Sequence, residues 1–103
     1  ASKFQGEIGE RLKDIRVQVT YKREFENHFG MSTLYAFKDA AGNIYKTFYS
    51  GTNWEKDVDD VILITGTVKK HQEYKGIEET MLNRVSVKEA SVEHFAVDEF
   101  KVA

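Results

Sequence analysis

Between residues 15 and 21 the chain alternates: Ile15, Val17, Val19 and Tyr21 share one parity, with mostly polar residues between them. Period two of this kind predicts a half-buried strand. Residues 26–30 follow as a turn in which Gly30 is free to take a positive φ. A second strand is predicted over 33–38 and a third over 44–49, joined by the turn residues Asp39, Ala40, Ala41, Gly42 and Asn43. The stretch 52–58 is too short and too polar for a strand and predicts a turn or two of helix, capped by Thr52 or Asn53. From 61 to 70, Ile62, Ile64, Gly66 and Val68 form one alternating face, and a glycine inside it predicts a sharp bend or bulge. Residues 71–76 read as a charged hairpin loop and 77–88 as a fifth long strand. Beyond it, Val92, Phe95, Val97 and Phe100 dot a segment that fits a helix or a short strand.

Three meandering strands, a short helix and a long hairpin with an interior glycine follow the element order of a five-stranded Greek-key barrel. The expected fold is all-β, with the barrel over 1–88, its strands from about residue 11, the short helix between strands three and four, and an acidic C-terminal segment over 89–103. Two stretches carry a family resemblance: Phe37-Lys38-Asp39-Ala40-Ala41-Gly42-Asn43-Ile44, and Gly66-Thr67-Val68-Lys69-Lys70-His71-Gln72-Glu73-Tyr74-Lys75-Gly76 with its return Thr80-Met81-Leu82-Asn83-Arg84-Val85. In these the chain resembles the OB-fold proteins that bind single-stranded nucleic acid in bacteria and in their phages and plasmids, over roughly residues 11–88. The resemblance implies a non-enzymatic single-stranded DNA-binding protein of replication or recombination, of the kind carried by a phage or mobile element. Its partner would be single-stranded DNA, with RNA a close variant and replication proteins as further partners. The chain departs from that pattern in having no long Gly/Pro-rich linker before its acidic end.

Composition narrows the rest. With no cysteine, a disulfide framework, a thiolate zinc site and a cysteine nucleophile are excluded. Apolar runs such as Val61-Ile62-Leu63-Ile64 fall far below the roughly 18 residues of a membrane-spanning helix, and the expectation is a soluble, cytoplasmic protein with no membrane partner. A chain that opens on Ala1 reads as processed or trimmed from something longer. The net charge of −2 weakens a nucleic-acid reading, yet in 89–103 Lys101 alone opposes Glu89, Glu93, Asp98 and Glu99, so the body is near neutral. A neutral body still presents a basic face if its acids lie elsewhere.

No catalytic motif, phosphate-binding loop or calcium loop is present, and His28, His71 and His94 are far apart in sequence, so no cofactor and no enzymatic activity are expected. Single-strand binding asks for aromatic faces on which bases stack and cations beside the phosphates. On the third strand Ile44 and Phe48 share one parity and Tyr45, Thr47 and Tyr49 the other, so with the first pair inward the tyrosines face out; Lys46 then falls on the core side and calls for a bulge or a snorkelling stem. The run Lys69, Lys70, His71, Tyr74 and Lys75 interleaves cations with an aromatic ring beside the expected groove. Lys22, Arg23 and Phe29 form its opposite wall, and Arg84 contacts phosphate or pairs with a glutamate. Trp54 is expected to plug the open end of the barrel, and Tyr35 and Phe37 to lie in the core. The tail's Phe95 and Phe100 are expected to pack on the barrel. The alternative in a different class is a protein-interaction or assembly module on the same scaffold.

Overall fold

Five strands close on themselves in the computed structural model, which describes residues 1–28 and 30–90. They are β1 (Arg11–Asn27), β2 (Gly30–Asp39), β3 (Ile44–Tyr49), β4 (Val61–Tyr74) and β5 (Ile77–Glu89). The order around the closed barrel is β1-β2-β3-β5-β4, with β3 and β5 parallel and every other pair antiparallel. The length of β1 makes closure possible: its first part pairs with β4 and its second part with β2. A strand serving two neighbours has to coil, and register shifts between Leu12 and Ile15 and between Val19 and Tyr21 supply the bends.

Inside lie Val17, Val19, Tyr35, Phe37, Tyr45, Ile62, Ile64, Val68, Leu82 and Val85. Fully burying aliphatic or aromatic side chains of this size stabilises by about 1.5–3 kcal/mol each. Gly66 sits where β4 and β5 slip register, and a Cβ there would meet Val85 Cγ2 at 3.0 Å and Leu82 Cβ at 3.2 Å. The irregularity expected at this glycine is present, and the close approach of the neighbouring side chains leaves little room there for a Cβ. The Asp39 turn is also as expected: Asp39 Oδ1 accepts from the Ala41 and Asn43 amides, and Gly42 takes a φ of 91°.

Two expected elements differ. No helix follows β3, and three backbone N–H groups of that stretch are taken by tyrosine hydroxyls. Tyr49 Oη accepts from the amides of Asn53 and Trp54, and Tyr35 Oη from that of Lys56. Trp54 nevertheless packs against the core, stacked on Tyr49 with centroids 4.0 Å apart and donating its indole N–H to the Val85 carbonyl. The supposed loop 71–76 is strand almost throughout: β4 runs to Tyr74 and β5 starts at Ile77, and only Lys75 and Gly76, with φ of 51° and 81°, make the turn. Two consecutive positive φ values match the right-handed twist of a two-residue hairpin.

The first ten residues, which carry no strand pattern, lie along the barrel. Gln5 N–H donates to Thr80 Oγ1, Gly9 N–H to the Val68 carbonyl, and Val68 N–H to the Glu10 carbonyl. Among the described residues no helix is long and apolar enough to cross a membrane. Of the expected acidic segment 89–103, residues 91–103 lie outside the described residues, as does Phe29.

Candidate nucleic-acid interface

Cross-strand partners share a face, so the register fixes what points outward. One row runs Tyr21, Ala36, Lys46, Met81, Lys70 across all five strands, and the next holds Arg23, Leu34 and Phe48. A third carries Gln18, Lys38, Ile44, Glu79 and Gln72. Together the rows make a curved outer sheet face. In it Leu34, Lys46, Phe48, Lys69, Lys70, Gln72 and Met81 line a depression of about 290 Å³.

The phase of β3 is opposite to the one expected. Tyr45 is 3% exposed and points into the core, so it offers no face to a base; its hydroxyl donates to Asp39 Oδ2 at 2.8 Å. Tyr49 is half-buried, with its ring against Trp54. The outward residues are Lys46 and Phe48, and Phe48 is 57% exposed. Its ring meets Phe25 edge-on at 5.9 Å, and exposed Tyr21 and Tyr74 stand on the outward parity of β1 and β4. The bulge at Thr20 turns Tyr21 outward, reversing the parity read from Ile15 to Tyr21.

A second bulge sets the cations. The register of β4 slips between Val68 and Lys70, so Val68 enters the core while both Lys69 and Lys70 border the depression. Beyond them Tyr74 stands on the same outer parity with two ammonium groups near its ring, Lys46 Nζ at 4.8 Å and Lys75 Nζ at 5.3 Å. Lys46 Nζ also lies 2.8 Å from Glu79 Oε2, and Gln72 Nε2 donates to Glu79 Oε1 at 3.0 Å.

Not all the expected site residues meet here. Arg23 does, exposed in the row of Leu34 and Phe48. Lys22 does not: after the Thr20 bulge it falls on the inner parity, over the Tyr35 ring at 5.8 Å and bonded to Glu55 at 3.0 Å. That bond with Glu55 raises the Lys22 pKa above the ordinary lysine value. His71 is held by the N-terminal segment, stacked on Phe4 at 4.6 Å with Nε2 3.0 Å from the Gly6 carbonyl. Arg84 is exposed at a positive φ of 53° beside Arg11 and Thr67, and it does not line the depression. Sequence reasoning missed Phe48, Leu34, Met81, Gln72 and Glu79. The signal for Phe48 was present, since it shares parity with Lys46.

Among the described residues no group of three or more His, Asp or Glu side chains is placed to hold a metal ion. The arrangement offers apolar and aromatic surface bordered by ammonium groups, which suits a ligand with flat rings and spaced negative charges. No family model, curated protein or solved structure matches the chain.

Proposed function

We propose that this barrel is a non-enzymatic single-stranded nucleic-acid-binding protein of the Greek-key OB kind, with DNA of replication or recombination, in a phage or other mobile element, as its target. The observation that carries the reading is the convergence of Lys46, Lys69 and Lys70 on one depression floored by exposed Phe48, with Tyr74 and Lys75 at its hairpin end. Bases stack on Phe48 and Tyr74 while Lys69 and Lys70 meet the phosphates, a mode with little sequence preference. The strand order β1-β2-β3-β5-β4 and the outer face of β2 and β3 agree with how such barrels bind oligonucleotides.

Protein docking is the competing reading, favoured by the apolar side chains Tyr21, Phe48 and Tyr74 exposed on the outward parity of their strands. Anisotropy titration of labelled oligo-dT decides between them. The proposal expects binding at low salt that weakens as salt rises, little binding to duplex of the same length, and loss of affinity in Phe48→Ala and in Lys69→Ala/Lys70→Ala. Absence of oligo-dT binding at low salt overturns it in favour of a protein partner.

A further inference from the structure

Glu79 places an acid where the proposed function calls for cations. Its side chain is only 4% exposed, and it is engaged on both oxygens, by Lys46 Nζ at 2.8 Å and by Gln72 Nε2 at 3.0 Å. Both partners line the depression. Lys46 is itself largely covered, at 18% side-chain exposure, and its ammonium is turned toward Glu79 and the Tyr74 ring. An ammonium already matched by a carboxylate neutralises little of a phosphate's charge, so it displaces few of the cations condensed on the polyanion and adds little to the ion release that drives binding. A phosphate reaching Lys46 must also share it with a fixed charge of the phosphate's own sign.

We propose that Glu79 is an affinity-setting residue: it keeps Lys46 in an internal ion pair and competes with phosphate for it. This rests on the single-strand reading above. The two possible roles of Glu79 differ in the sign of one measurement. As a brace between β3, β4 and β5 and nothing more, it would support the face, and its loss would weaken binding. As a competitor, its loss strengthens binding.

The test is oligo-dT anisotropy across a salt series for wild type, Glu79→Gln, Lys46→Met and the double variant. Glutamine preserves the shape and a hydrogen bond to Gln72 while removing the charge. Glu79→Gln is expected to bind roughly two- to fivefold tighter, with the slope of log affinity against log salt steeper by about 0.7, the increment of one phosphate on a single strand. The gain is expected to vanish when Lys46 is already methionine. A comparison that leaves Glu79 untouched covers the case in which Glu79→Gln fails to fold: Lys46→Met should leave the salt slope near that of wild type, whereas Lys70→Ala flattens it by about 0.7. Weaker or unchanged binding by folded Glu79→Gln, a gain that persists without Lys46, or equal flattening by Lys46→Met and Lys70→Ala each overturns the proposal while leaving the single-strand reading standing. Wild type that does not bind oligo-dT overturns both.

Discussion

The Tyr45 hydroxyl lies inside the barrel, and burial, followed by its hydrogen bond to Asp39, raises its pKa above that of a free tyrosine. A native state that holds a proton more tightly than the unfolded chain is favoured wherever that proton is present. The contribution of Tyr45 is therefore complete below about pH 10, the ordinary tyrosine value, and is lost as pH climbs from there toward the native pKa. Ultraviolet titration should show Tyr45 ionising only as the barrel opens, a contribution that Tyr45→Phe should remove. That variant should lose about 1–2 kcal/mol of stability at neutral pH with the bond to Asp39, and it should bind oligo-dT like wild type. Phe48→Ala should do the reverse, keeping stability while weakening binding by about 1–3 kcal/mol, the contribution of a stacked base. Alternation in β3 was legible, but its phase was not. Tyrosine tolerates either face of a sheet, whereas burying an ammonium costs several kcal/mol, so Lys46 was a better guide to the outside than the aromatic rings were.

Strand existence could be read because each strand carries its own period and its own turn chemistry, as at Asp39–Gly42. The missing helix could not. The amides of Asn53, Trp54 and Lys56 bond to hydroxyls of Tyr49 and Tyr35, and no local pattern announces an acceptor supplied by another strand. The Thr20 bulge was hidden for a similar reason, since coiling of β1 is demanded by its two partners. The β4–β5 hairpin joins both lessons: its lysines were visible, but the pairing of β3 with β5 that brings Lys46 over the Tyr74 ring was not. Its turn also allows charge and backbone to be separated. Lys75 sits at a φ of 51°, a region in which asparagine is more comfortable than lysine. Lys75→Asn should therefore raise stability by a few tenths of a kcal/mol in urea titration, while oligo-dT affinity falls about twofold at low salt and the salt slope flattens by no more than about 0.7. Gly76→Ala, at a φ of 81°, should instead cost about 1 kcal/mol and weaken binding through displacement of Tyr74. A Lys75→Asn protein that is destabilised would mean that the turn is not set by these dihedrals.

Total charge was the least informative number in the sequence, because a value of −2 averages over a molecule whose charges are sorted by position. Glu55 and Asp57 face Lys22, and Lys56 pairs with Glu89, so these charges are engaged with one another and none of them lines the depression. Lys69 and Lys70 instead border the depression. Binding governed by this arrangement depends on where a charge is removed and little on how many are removed. Two double variants with the same change in net charge test that dependence. Lys69→Ala/Lys70→Ala empties the rim of the depression. Lys13→Ala/Lys88→Ala removes cations that do not line it, one of them paired with Asp14 at 3.3 Å. At 0.15 M ionic strength the screening length is about 8 Å, so distant charges should contribute little. Under those conditions the first variant should lose at least about tenfold in oligo-dT affinity, from two phosphate contacts, and the second should stay within about twofold of wild type. Equal losses in the two would mean that the strand responds to the average field of the protein, and the depression would then be no more than a feature of its shape.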